Sequence, residues 1–313
     1  MTRIVYVTPF AHSRSGGAKM IFRHVETLCD LGFDAVVRRP AEAAPLTWFD
    51  HRAPVEGGSA PLGADDILVL PEDSTEALLQ AAALPNRKVI FCQNPYALAG
   101  HGLADLPAEL KVQYRTFMAC GVGVAGMIAR FFDYDLISVT PGFADERTFG
   151  PRPKEQIIAC SPRRRRLEEK TIRYMFERLC PSAGAWRWIA MDTASEAEVA
   201  DVMGRASVFL SLAKMEALGL TALEALASEC LVAGFTGVGG REFASSVNGL
   251  WVEENDCEAA AHALVRAVAL AEQGGGAAAL MRHAAAQTAT QWSHAAFAQA
   301  LAAFWRDRMA VTA

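Results

Sequence analysis

Ser207-Val-Phe-Leu210, followed by Lys214-Met-Glu216-Ala-Leu-Gly219-Leu-Thr-Ala-Leu-Glu224, is the stretch on which the reading of this chain turns. The apolar, β-branched run ahead of a glycine-containing turn predicts a buried strand, and the Leu/Ala-rich segment after Gly219 predicts a helix opening near Leu220. Glu216 then falls in the turn and Glu224 inside the helix, eight positions further on. Such a helix points unpaired backbone N–H groups and the positive end of its dipole into the space above the strand end, where a phosphate is favoured. Ionised carboxylates are acceptor-only groups suited to paired sugar hydroxyls, so two of them flanking a phosphate fit a ribose on one side and a second sugar on the other. The competing reading is structural: Glu216 favours a helix N-terminus and Glu224 is a solvated helix residue.

Downstream, Leu231-Val-Ala-Gly-Phe235 predicts another buried strand, followed by Gly237-Val-Gly239-Gly240-Arg-Glu242 and Asn248-Gly249-Leu-Trp-Val252. With the Glu pair, this ordered set resembles the retaining glycosyltransferases of the GT-B fold that carry a Glu, seven residues, Glu motif, the family 4-like type. The resemblance implies an α/β chain of two Rossmann-like domains, their parallel sheets facing across a cleft, with a C-terminal helix crossing back. It implies that Glu216 contacts the transferred sugar and Glu224 the ribose, with Leu218, Gly219, Leu220, Thr221, Gly239 and Gly240 completing the donor site. This sequence has Ala217-Leu218-Gly219 where Gly-Phe-Gly is usual in the family.

A departing nucleotide diphosphate gains charge as the glycosidic bond breaks, and fixed cations stabilise it. The candidate is Ile157-Ile-Ala-Cys-Ser-Pro162-Arg163-Arg164-Arg165-Arg166-Leu-Glu-Glu-Lys170, a predicted strand, basic turn and helix. Related enzymes place an Arg and a Lys here. Arg163 with Arg164, or Arg164 with Lys170, fits that pattern; the first pairing is preferred, and one or two of the four arginines are expected to face the site. A run of four arginines also fits a solvated face or a polyanion-binding patch.

Net charge of −5 and a pI near 5.8 give no general attraction for nucleic acid, so nucleic-acid partners are not expected. Phe117 to Ala129, an uncharged apolar stretch, falls short of the roughly 20 apolar residues needed to span a bilayer, and no transmembrane segment is expected. The chain opens on Arg3-Ile-Val-Tyr-Val-Thr8, strand-like rather than signal-like. Seven cysteines stand singly, without a zinc or redox spacing, as in a reducing compartment. The expected location is the cytoplasm, with peripheral membrane association left open.

Strand-like and helical stretches alternate throughout, which predicts parallel sheets covered by helices. In the first half, strands are expected near Ile4–Val7, Ala35–Val37, Ile67–Leu70, Val89–Cys92, Gly121–Val124 and Ile137–Thr140, with helices over Ala18–Leu31, Thr75–Ala83 and Glu109–Met118. The Pro/Gly-rich span from Arg39 to Gly63 reads as a long loop. The second half carries strands near Gln156–Cys160, Trp188–Met191, Val208–Leu210, Leu231–Gly234 and Leu250–Val252. The Pro/Gly-punctuated 140–151 segment reads as a linker, and Trp292 to Met309 as an amphipathic helix with Ser293 as its cap. The expected division is therefore residues 1–143 as an acceptor-side domain, 144–291 as a nucleotide-sugar domain, and 292–313 as a terminal helix.

Ser13-Arg14-Ser15-Gly16-Gly17-Ala18 follows the first strand and is similar to the family's Gly-Gly loop facing the diphosphate. It lacks the G-x-G-x-x-G of a dinucleotide site. Gln93 and Asn94, at a strand end with His101 behind them, stand where related enzymes often carry a histidine on the sugar or acceptor side; His12 and His24 are weaker candidates. No close-spaced cluster of metal-ligating residues stands out, and neither metal nor cofactor is expected. The resemblance implies metal-independent, retaining hexosyl or deoxyhexosyl transfer from a nucleotide-diphosphate sugar to a carbohydrate, lipid-linked or protein acceptor. A sugar-nucleotide epimerase or hydrolase, and a non-catalytic sugar-nucleotide-binding subunit, are the alternatives.

Overall fold

The computed structural model describes residues 2–8, 15–134 and 137–313. The chain divides into two units, Met1–Gly142 with Phe297–Ala313, and Phe143–Ala296. Among the described residues the first unit has seven strands: β1 (Ile4–Val7), β2 (Ala35–Arg39), β3 (Val55–Gly57), β4 (Ile67–Pro71), β5 (Arg87–Cys92), β6 (Phe117–Ala119) and β7 (Ile137–Val139). They form one parallel sheet in the order β3-β2-β1-β4-β5-β6-β7. The second unit has five: β8 (Glu155–Cys160), β9 (Arg187–Ala190), β10 (Ala206–Ala213), β11 (Leu231–Thr236) and β12 (Leu250–Val252). Their order is β12-β11-β10-β8-β9, again all parallel. No helix among the described residues is long and apolar enough to cross a membrane.

Burial on both faces explains why the inner strands read as unbroken apolar runs. In the second unit Ile157, Ala159 and Phe209 face one core, with Met203, Leu223 and Leu226. Ile158, Val208 and Leu210, the alternate residues, face the other, with Ile172, Phe176 and Leu264. The period of two along each strand thus feeds two cores. Helices Glu196–Arg205 and Leu220–Ala227 cover the first face, and Arg166–Leu179 and Cys257–Gln273 the second.

Three sequence expectations are corrected. Gly121–Val124 is not a strand: helix Val122–Phe132 begins there, burying Val124, Met127 and Ile128 at helical spacing, and the strand is Phe117–Ala119. The expected Glu109–Met118 helix accordingly shrinks to Ala108–Lys111. The 39–63 span is not wholly loop, since β3 pairs with β2. Only three residues long, β3 is fastened through Glu56, which pairs with Arg38 at 2.6 Å and Arg3 at 2.9 Å. At the chain's end, helix His294–Ala303 gives way to a wider π turn over Phe304–Arg308. Ser293 caps the helix by accepting the Ala296 N–H at 3.3 Å.

Candidate functional site

In an open parallel sheet, ligands bind beyond the carboxyl ends of the strands where the winding direction reverses. The second unit has one such point. From β8 the chain crosses on the 166–179 helix to β9 on one side, then on the 196–205 helix, over the opposite face, to β10 on the other side. The loops leaving β8 and β10 therefore diverge from neighbouring strands, and they hold the arginine run and the Glu216 turn.

Glu216 lies in the turn after β10, partly exposed, and its carboxylate accepts the Lys214 N–H. Facing it, Arg164 Nη1 stands 3.8 Å from Glu216 Oε1. Gly219, at φ +77°, starts helix Leu220–Ala227 without a side-chain cap. The first-turn amides of Leu220 and Thr221 have no acceptor within the helix and are left for a ligand or solvent. Glu224 is only 5% exposed, so it is not the solvated helix residue of the structural reading. Leu218 is buried beneath the turn.

The glycine loop after β11 packs onto this turn. Val238 N–H donates to the Lys214 carbonyl and Gly239 N–H to the Glu216 carbonyl, both at 2.9 Å. A Cβ at Gly239 would lie 2.1 Å from the Ala217 carbonyl carbon, so only glycine allows the approach. What comes close to Gly239 is the protein's own backbone. At Gly240 an added Cβ would make ordinary contacts of 3.6 Å with Phe243 and Thr236.

The four arginines separate into different roles. Arg164 reaches Glu216. Arg163 is exposed, and its backbone N–H donates to Asp192 Oδ1 at 3.0 Å. Arg166 stands 3.8 Å from the same aspartate, which follows β9. Arg165 is 1% exposed and acts as an internal brace. Its guanidinium donates to the Ala213 carbonyl at 3.1 Å and to Asn255 Oδ1 at 2.8 Å, pairs with Glu254, and stacks 4.6 Å over the Phe235 ring. Glu254 in turn accepts the Gly237 N–H at 2.8 Å. The loops after β8, β10, β11 and β12 are thereby tied together. Lys170 is exposed one turn into its helix, about 200° around from the buried Ile172.

In the first unit the winding reverses between β1 and β4. Of the loop after β1, His12, Ser13 and Arg14 lie outside the described residues. Ser15 caps helix Gly16–Asp30 by accepting the Ala18 N–H at 3.1 Å. Gly17 sits against the Gln93 amide, where a Cβ would come within 3.4 Å of Gln93 Nε2, so two residues singled out from sequence meet. The Asn94 side-chain oxygen is occupied by the Tyr96 and Ala97 amides at 2.9 and 3.2 Å, and caps a short helix. His101 is exposed. His24 is a core residue: fully buried, it meets the Tyr6 hydroxyl at 3.0 Å and packs on the Phe91 and Phe297 rings, and burial pushes its pKa down to about 3.

One residue not singled out from the sequence stands at this reversal point. Glu72 directly follows β4, is 3% exposed, and accepts the Gln93 N–H at 2.7 Å. Burial, reinforced by Asp73, pushes its carboxyl up to about 8 against the pull of the Gln93 amide. An acidic residue directly after an all-apolar strand is the signal that would have found it.

Residues 176–270 match the family model described as Glycosyl transferases group 1, a stretch that holds Glu216 and Glu224 but not the arginine turn. Over 261 residues the chain is 32% identical to an alpha-1,6-glucosyltransferase of Actinobacillus pleuropneumoniae serotype 7 (strain AP76), covering 77% of this chain and 76% of that protein. Sucrose-phosphate synthase from Thermosynechococcus elongatus superposes with a TM-score of 0.73 at 13% identity, over 100% of both chains. HepE from Anabaena, solved in complex with UDP and glucose, gives 0.72 at 12% identity, again over 100% of both. The fold is that of the GT-B glycosyltransferases. The chain belongs to the group 1 glycosyltransferases.

Proposed function

We propose that the enzyme transfers a hexose from a nucleotide-diphosphate sugar to an acceptor hydroxyl, with retention of anomeric configuration and without a metal ion. The observation that carries this reading is the meeting of Arg164 and Glu216, from adjacent parallel strands, beside the uncapped N-terminus of helix Leu220–Ala227. A diphosphate set there takes the helix amides and the Arg164 guanidinium, which supply the charge stabilisation that a divalent cation supplies elsewhere. Glu216 is then a hydrogen-bond acceptor for the transferred sugar, and Glu224, deeper in the helix, for the ribose. Arg163 is a second cation for the diphosphate and Lys170 the reserve.

No carboxylate or histidine base is assigned. In this account the leaving phosphate, on the same face as the incoming hydroxyl, takes its proton, and the protein contributes positioning and a fixed field. Gly16 and Gly17 complete the donor side, and Gln93, Asn94 and His101 are the acceptor-side candidates. UDP-glucose is the first donor to test, because the Actinobacillus relative is named a glucosyltransferase and HepE was solved with UDP and glucose.

The test is a thermal-shift screen of nucleoside diphosphates followed by an assay of transfer with and without chelator. At about 100 times Kd a ligand stabilises the native state by about 2.7 kcal/mol. The expected result is a clear shift with one nucleotide and acceptor-dependent consumption of its sugar, unchanged by chelator. Donor hydrolysis that no acceptor accelerates would favour the hydrolase reading, and a strict metal requirement would count against the assigned role of Arg164.

A further inference from the structure

A cavity of about 660 Å3 opens beside the edge strand β12, between the loop that follows Arg241 and helix Cys257–Gln273. Strand β12 is two strand spacings, roughly 10 Å, from β10 and the winding reversal, and the cavity borders the glycine loop at Thr236 and Arg241 without being lined by either glutamate of the pair. Leu250, Trp251 and Ala263 give it apolar lining. The Trp251 indole donates to Asn248 Oδ1 at 2.9 Å and packs on Phe243, in the core opposite that of Leu250, Val252 and Ala263.

The polar lining is cationic or hydroxylic. Arg241, His262 and Arg266 line it with Ser245 and Ser246, and no carboxylate does. His262 and Arg266 are four residues apart on one helix face, an arrangement that places two basic groups side by side. Among the described residues, the side chains of Arg241, His262 and Arg266 make no hydrogen bond, ion pair or ring contact, and all three are exposed. Elsewhere in the same unit Arg147, Arg152, Arg164, Arg165, Arg166, Arg173, Arg187 and Arg205 stand against a carboxylate, while Arg178 lies over the Tyr174 ring and Arg282 Nε is buried without a partner among the described residues. In a chain of net charge −5, three exposed basic residues lining one cavity that no carboxylate lines favour an anion from outside.

We propose that this cavity is a second ligand site, which takes a phosphate monoester carried on a small apolar or ring-bearing body. The choice of anion follows from the donors. Two guanidinium forks, an imidazole and two hydroxyls exceed what a single carboxylate can accept, and match the three acceptor oxygens and near-double charge of a phosphate monoester. Leu250, Val252 and Ala263 receive the body.

Phenyl phosphate is the probe for a soluble source, and phosphatidylcholine vesicles with and without phosphatidic acid are the probe for a lipid one. Calorimetry on the full chain is expected to detect phenyl phosphate but not phenol, with binding weakened about tenfold or more in Arg266→Glu and in Arg241→Gln, the effect of losing one charge-assisted contact. Arg164→Ala, which alters only the other site, should bind phenyl phosphate as the wild type does, and Arg266→Glu should turn over donor normally. Binding to phosphatidic acid vesicles alone, lost in Arg266→Glu, would assign the lipid source. His262→Ala supplies a milder second variant should Arg266→Glu unfold. No binding of either probe, or binding indifferent to both arginine substitutions, overturns the proposal.

Discussion

Adjacent residues in Arg163-Arg164-Arg165-Arg166 do opposite work, and the difference is set by where each guanidinium ends. Arg165 is buried among Glu254, Asn255 and Phe235, whereas Arg164 is half exposed against Glu216. Arg165→Ala should therefore act on folding, since it strands Glu254: a loss of roughly 3 kcal/mol, several degrees in the melting temperature. Arg164→Ala should leave melting within about half a kcal/mol and lower turnover tenfold or more. Equal effects of the two on both quantities would contradict this division. The pH dependence of stability belongs at the same scale. Glu72, raised to about 8 from its ordinary 4.5, holds a proton in the folded state that the unfolded chain releases. Stability falls as pH rises across that window, by at most about 1.4 kcal/mol per unit. His24, lowered to about 3 from 6.5, acts in the opposite sense: the unfolded chain gains a proton and stability falls as pH drops below 6.5. The two slopes oppose one another between 4.5 and 6.5, so unfolding curves should show a plateau there, with the alkaline decline to pH 8 removed in Glu72→Gln. A wild-type decline that survives this substitution would show that Glu72 is not its cause.

Strand β10, the turn at Glu216 and the helix from Leu220 were readable in the sequence because apolar runs, a glycine and a helical stretch coincide there, and the structure gives all three. The arginine turn was readable as a turn, but not which arginine goes inside, because that depends on Glu254 and Asn255, some ninety residues away. Gly121-Val-Gly-Val misled for a local reason: β-branched residues between glycines favour a strand, while the tertiary packing of Val124, Met127 and Ile128 favours a helix. β3 escaped because its stability resides in ion pairs of Glu56 rather than in its own apolar content. In the glycine loop the residue type was legible beforehand, but its reason is spatial: Gly239 lies against the Ala217 backbone. Gly239→Ala should push the loop off the turn, destabilise by a few kcal/mol, and weaken nucleotide binding, while Gly240→Ala should be mild. Chemical denaturation of both variants checks this; equal costs would mean that the loop is not anchored at Gly239.

At the scale of the whole molecule, two doubly wound sheets each present a reversal of winding, and candidate residues gather at each one: Glu216 with Arg164 in the second unit, Gln93 with Gly17 and Glu72 in the first. The proposed role of the glutamate pair is to hold a nucleotide sugar, one carboxylate on each sugar. Calorimetric titration of Glu216→Ala and Glu224→Ala with the nucleoside diphosphate and with the intact donor tests it most directly. Hydrogen bonds to a charged acceptor contribute roughly 1.5–3 kcal/mol, a tenfold to hundredfold change in affinity. Glu224→Ala is expected to weaken diphosphate and donor alike, because both contain ribose, and Glu216→Ala to spare the diphosphate while weakening the donor. Negligible effects of both substitutions on both ligands would contradict it.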